Sequence, residues 1–314
     1  MPASQTAASR PDYHAYVAAA AGVVVAVDTA TGTIFGEFSI DSPQGITATP
    51  DGSQVYVAQT GKYSVVAIAA ATGAASQITV GPFPQDVAAT PDGAAVWATV
   101  TGPQTGPGGS DKVAVISTAT NAVTRYLTVG TSPRRVVFSP DGSLAYITTA
   151  RSIDVVSTAT GRVVHRIPDP GGPQDLALSP DGGTLYVTNP VPSTLWVIKT
   201  DSLRVTAELP AGEQPYSVAV TPDGKTVYVT DLNSNSVLAL DAATLTTVAA
   251  IPVGGVPGVV AVTPDGSQAW VGNIFPGTIT VFSPATNMVL ATISAGSGTA
   301  TIDGVPIAIA FVKA

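Results

Sequence analysis

A chain of 314 residues, 45% hydrophobic and only 11% charged, with a mean hydropathy of +0.34, can bury a large core and is not intrinsically disordered. Its net charge of −8 and pI near 4.5 exclude a phosphate-backbone binder, which needs a basic footprint. It has no cysteine, so disulfides, thiolate nucleophiles and cysteine-ligated zinc or iron–sulfur centres are excluded too.

Residues 1–10 have no basic start followed by an apolar core and are expected to be a tail. The run AYVAAAAGVVVAV (15–27) could be an export segment or a short membrane span. It is short for a spanning helix and aligns with two strands of the repeat that follows, so the strand reading is preferred. As written, the chain is expected in the cytoplasm, or outside it if a leader has been removed.

The repeat occupies residues 11–314, leaving no room for a second domain. A worn first copy starts at Pro11-Asp12-Tyr13, with Tyr16 in its aromatic slot. Pro-Asp-Gly then recurs at Pro50, Pro91, Pro140, Pro180, Pro222 and Pro264, at intervals of 41, 49, 40, 42 and 42 residues. Six residues after each proline stands Tyr56, Trp97, Tyr146, Tyr186, Tyr228 or Trp270. The long interval contains an insertion, TGPQTGPGGSDK (101–112), which is either a lid or a plain surface loop. Each unit holds four Val/Thr/Ile/Tyr-rich alternating segments, the signature of strands. Pro-Asp-Gly turns join the first two; TATG or TATN hairpins join the last two. Seven units of four antiparallel strands predict an all-β, seven-bladed β-propeller. The tail GVPIAIAFVKA (304–314) reads as an innermost strand with nothing after it. It should pair with AYVAA and close the ring, because an unpaired edge is a liability.

LYVTN (185–189) and VYVTD (227–231), with the stretches that follow them, resemble the YVTN-type seven-bladed propellers, over roughly residues 11–314. The resemblance implies the fold. The copies VAQ, ATV and ITT depart from the motif. Some propellers of related appearance are lyases that use a histidine and a metal in the funnel; this sequence offers no histidine at those positions.

Strand direction puts the uniform turns on one face and the divergent loops on the other. The approach to each innermost strand carries Gln44, Gln85-Asp86, Arg134-Arg135, Gln174-Asp175, Tyr216-Ser217 and Gly258. The ends of the second strands carry Gln59, Thr99, Thr149, Asn189, Asp231 and Asn273, and the outer loops add Tyr63 and Phe275. Such a face suits a binding or interaction module for a small molecule or a protein partner. Its expected ligand-binding set is Gln44, Gln85, Asp86, Arg134, Arg135, Gln174, Asn189, Asn273, Tyr63 and Phe275. The alternative is a cofactor-independent isomerase, cyclase or lyase, with Asp175, Tyr216 and Asp231 in proton transfer beside an arginine. Each amide could instead bond a neighbouring blade. The arginines could clamp a carboxylate or phosphate, or pair with Asp86 or Asp175 as stitches.

His14 and His165 are far apart in the repeat, so neither a Ser-His-Asp arrangement nor a zinc site is expected. GPGG (106–109) and GSG (296–298) precede no helix, which argues against phosphate cradling. No cofactor is expected. Ca²⁺ or Mg²⁺ on Asp86, Asp175 or Asp231 is the one exception the residue types allow. A monomer without nucleic-acid or membrane partners is expected.

Overall fold

The computed structural model describes residues 13–102, 111–169, 171–294 and 305–314. The proposed tail, Pro11-Asp12, the body of the 101–112 insertion and the two glycine motifs lie outside the described residues. The described residues form seven four-stranded sheets, antiparallel throughout, arranged as the blades of a propeller. The innermost strands are Pro43–Ala48, Pro84–Ala89, Val136–Phe138, Asp175–Leu178, Pro215–Val220, Gly255–Val262 and Pro306–Lys313. The last of these pairs with Tyr13–Ala19 in register from Tyr13 opposite Lys313 to Ala18 opposite Ala308. The first blade is therefore assembled from both ends of the chain, and this pairing closes the ring. No helix among the described residues is long and apolar enough to cross a membrane.

Each recurring residue of the repeat has a physical task. The aromatic of each unit is buried and packs toward the next blade. Tyr56 joins Val87, Val96 and Ala98 in one cluster, and Trp97 joins Val136 and Ile147 in another. Burying one such ring contributes about 2–3 kcal/mol. The phenol is satisfied across the gap: Tyr56 Oη donates to Asn121 Oδ1 at 2.6 Å, and Tyr228 Oη to Asn287 Oδ1 at 3.0 Å. The variable last residue of the TATN hairpins is thus, in two blades, a cap for its neighbour's tyrosine.

The Pro-Asp-Gly turns also touch around the ring. Gly93 has φ +69°, and a Cβ there would lie 3.4 Å from Pro50 Cδ in the preceding blade. Gly224, with φ +72°, meets Pro180 in the same way. The turn needs the left-handed backbone, which glycine adopts without steric cost. In the second strands, the Thr99 hydroxyl accepts the Asp86 amide at 3.0 Å and donates to the Arg134 carbonyl of the next blade at 2.7 Å. Thr188 does the same between Asp175 N–H and the Tyr216 carbonyl. This threonine ties two innermost strands together beside the axis.

Candidate functional site

Two successive residues at the start of each innermost strand divide the work, because neighbours on a strand point in opposite directions. The first faces the axis. Gln44, Gln85, Arg134, Gln174, Tyr216, Gly258 and Ile307 occupy this position in the seven blades and together line a cavity of about 330 Å³, with Arg135, Ile274 and Pro306 completing it. Five consecutive blades contribute polar groups, and the remaining two contribute glycine, proline and isoleucine. The mouth is therefore polar along one arc and apolar along the other.

The second residue faces the next blade. Asp86 Oδ2 accepts the Val136 amide at 3.1 Å. Asp175 Oδ2 accepts the Ser217 hydroxyl at 2.8 Å and the Val218 amide at 3.1 Å. Ser217 Oγ in turn accepts the Val260 amide at 3.3 Å. Arg135 has no acceptor atom and cannot repeat this contact. Its guanidinium lies between the two carboxylates, with Nη1 at 3.2 Å from Asp86 Oδ1 and Nε at 3.5 Å from Asp175 Oδ1. Burial works against the Arg135 charge, but Asp86, Asp175 and the Tyr216 hydroxyl outweigh it and hold its pKa above the ordinary guanidinium value. Burial pushes the Asp86 carboxyl up, against the opposing pull of Arg135 and the Val136 amide. Gly45 fits the same scheme, since a Cβ there would lie 2.6 Å from Asp86 Cα.

Arg134 stands apart from this network. It is exposed, and its guanidinium donates from Nη1 to Gln174 Oε1 across the mouth. The two adjacent arginines thus take the two roles that the sequence left open: Arg135 stitches blades and Arg134 faces the cavity.

The remaining expected residues lie elsewhere. Asp231 does not line the cavity. It is buried, and its carboxylate accepts the Glu213 and Gln214 amides at 3.0 and 2.9 Å and the Ser234 hydroxyl at 2.7 Å. Burial opposes its charge, yet these donors hold its carboxyl below the usual range. Asn273 is buried and donates to Thr278 and Thr280 at 3.1 and 2.9 Å. Asn189 is buried as well. Tyr63 packs against Phe83 on the outer rim, with ring centroids 5.5 Å apart. Phe275 is 66% exposed, and its neighbour Ile274 lines the cavity instead. Pro306 and Ile307 were missed as lining residues, although the closing strand they begin was legible. Carrying the repeat position into that strand would have found Ile307, with Pro306 as the proline that precedes this position in the other blades.

Among the described residues, no group of three or more His, Cys, Asp or Glu side chains is placed to hold a metal ion. Asp86 and Asp175 share an arginine and bond backbone amides, while Asp231 is spent on the loop entering its blade and on Ser234. The donor set does not fit Ca²⁺ or Mg²⁺, which want several oxygens converging on one point.

These features define a seven-bladed propeller with an axial, half-polar mouth. The family model described as "Lactonase, 7-bladed beta-propeller" matches residues 107–240, under half of the chain. No curated protein matches the chain. Among solved structures, hydrazine synthase of Kuenenia stuttgartiensis is 24% identical with a TM-score of 0.77, over 84% of this chain and 90% of that one. A functionally unknown protein of Desulfotomaculum acetoxidans is 16% identical with a TM-score of 0.78, over 95% and 98%. The periplasmic gluconolactonase of Pseudomonas aeruginosa is 20% identical with a TM-score of 0.74, over 96% and 99%. At these identities the likeness carries the fold alone.

Proposed function

We propose that the axial mouth binds a small polyoxygenated acid of the sugar-acid type, or the lactone derived from it. The observation that carries this reading is the division of the mouth: amides, Arg134 and Tyr216 on one arc, Gly258, Ile274, Pro306 and Ile307 on the other. The acid has a hydroxylated edge, a carboxylate and an apolar C–H face, which match amides, guanidinium and aliphatic wall respectively, and the lactone offers its carbonyl oxygen in place of the carboxylate. The partial family match, which includes Arg134, Gln174 and Tyr216, and the gluconolactonase among the similar structures support the same ligand class.

Binding leads over catalysis because Asp86 and Asp175 sit behind the lining, bonded to Arg135 and to backbone. A second reading, ring opening of the lactone, is favoured by the partial match to a lactonase model. Water would add to the carbonyl, the ring C–O bond would break and the ring oxygen would take a proton, with Arg134 stabilising the developing oxyanion. Calorimetric titration with gluconate, alongside hydrolysis of glucono-1,5-lactone measured above its spontaneous rate, tests both. Wild type should bind gluconate, and Arg134→Ala should weaken binding by about tenfold or more with an unchanged melting temperature. Absence of binding by wild type, or full binding by Arg134→Ala, would refute the proposal. Lactone turnover that Arg134→Ala abolishes would favour the enzymatic reading.

A further inference from the structure

Two aromatic residues on the rim occupy backbone positions that the other blades give to small turn formers. Immediately before the third strand of the blade, Gly22, Ser193, Asn235 and Gly277 have φ of +92°, +68°, +53° and +82°; the second blade places Tyr63 there at φ +57°. Two residues before the axis-facing position, Ser42, Ser132 and Gly172 have φ of +50°, +50° and +74°; the third blade's approach places Phe83 there at φ +45°. Only Val256, at φ +54° on the far side of the ring, is another bulky residue in that second series. A large side chain in the left-handed region is disfavoured, and such residues cluster at functional sites. These two exceptions touch each other, edge to face, and remain 47% and 39% exposed.

Phe83 also forms one wall of a groove of about 580 Å³ whose other walls include Gln85, Thr101, Thr131, Ser132 and Arg134. Gln85 and Arg134 line the axial mouth as well, so mouth and groove adjoin at these two side chains. Hydroxyls, an amide, the Asp111 carboxylate and a guanidinium around one exposed aromatic plate are the chemistry of a sugar-ring subsite. The negative ring face meets pyranose C–H groups, while the polar walls meet hydroxyls.

We infer that the ligand extends beyond the axial mouth: it is a glycosylated sugar acid, with its acid unit at Arg134 and a second sugar ring on Phe83 buttressed by Tyr63. The inference rests on the sugar-acid reading above and deepens it. The test is titration with gluconate, lactobionate (gluconate carrying a galactosyl unit) and phenyl glucosiduronate, using wild type, Phe83→Ser and Tyr63→Asn. Both substitutions copy residues that other blades hold at the same left-handed positions, so the fold is retained and an unchanged melting temperature verifies it. Lactobionate should bind wild type about tenfold more tightly than gluconate. Phe83→Ser should remove that advantage and leave gluconate affinity alone, and Tyr63→Asn should remove part of it. Equal affinity of the two acids for wild type, or an advantage that survives Phe83→Ser, would overturn the inference while leaving the sugar-acid reading standing. A gain confined to the phenyl compound would overturn the sugar-ring assignment in favour of an aryl group. If neither gluconate nor lactobionate binds, the sugar-acid reading itself fails, and the inference with it.

Discussion

Arg134 and Arg135 are adjacent, chemically identical and opposite in consequence. Removing Arg135 would leave Asp86 and Asp175 facing each other without a counter-charge, and breaking such a partly buried pair costs on the order of 3 kcal/mol. Arg135→Ala should therefore lower the melting temperature by several degrees, whereas Arg134→Ala should not; thermal unfolding of the two single variants reads the difference directly. Strand alternation could have separated the two arginines from sequence, because one position of each pair faces the axis and the other faces the next blade. The repeat also named Asp86 and Asp175 as possible partners of Arg135, 49 and 40 residues away along the chain; what could not be read was that one guanidinium would meet both. A second residue-scale prediction concerns Asp169 and Asn189. Both are fully buried, and Asp169 Oδ2 and both polar atoms of the Asn189 side chain lack hydrogen-bond partners. The equivalent pair two boundaries earlier is Val80 and Val100, packed in one apolar cluster. Burial pushes the Asp169 carboxyl up, against the opposing pull of the Gly171 amide. A carboxyl raised on folding loses its contribution as pH climbs from the unfolded value through the folded one. The double substitution Asp169→Val with Asn189→Val should therefore raise stability at neutral pH by about 1–3 kcal/mol and flatten its decline above pH ~4. Denaturant titrations at pH 4 and 7 measure this; a less stable double variant would mean that the polar pair holds the loop.

At the scale of the element, the informative units are the closing strand and the threonine stitch. Removing residues 305–314 would strip Tyr13–Ala19 of every hydrogen bond on one side and expose Tyr16 and Ala18, which share a core cluster with Ala308, Ala310 and Val312. The truncated protein should be recovered insoluble or unfolded rather than merely less stable. A soluble product with a cooperative transition would contradict the role given to this strand. Ring closure was legible because the tail is written as an innermost strand with no successors. The stitch was not: the sequence shows a recurring threonine, and strand propensity alone accounts for threonine. Only the assembled ring shows Thr188 accepting from one innermost strand and donating to the next. Similarly, the ends of the second strands read as site residues because they vary. In the structure Asp231 holds the amides of the loop entering its blade together with Ser234, and Asn273 bonds Thr278 and Thr280 of the following strand, so their variation reflects the differing connections they hold.

Over the whole molecule, one face is a ring of near-identical turns and the other a ring of unlike loops. The turn face has a measurable consequence. The hydroxyls of Thr49, Thr90, Ser139, Ser179 and Thr221, together with the amide two residues after each acid, hold the Asp51, Asp92, Asp141, Asp181 and Asp223 carboxyls below the usual range. A carboxyl lowered on folding contributes fully above its unfolded pKa, near ~4, and its contribution is lost as pH falls through the folded value. Acid unfolding should therefore begin below pH ~4 and be shared among blades, so that a single Asp→Asn change moves it only slightly. The other face gathers Gln44, Gln85, Arg134, Gln174 and Tyr216 from five blades at one mouth, and the account depends on that mouth being where a ligand sits. A crystal structure of the protein grown with gluconate tests this most directly. The account predicts density in the axial mouth, with the carboxylate against Arg134 and hydroxyls toward Gln85 and Gln174. Gluconate ordered on the turn face or the outer strands, with the mouth holding only water, would contradict it.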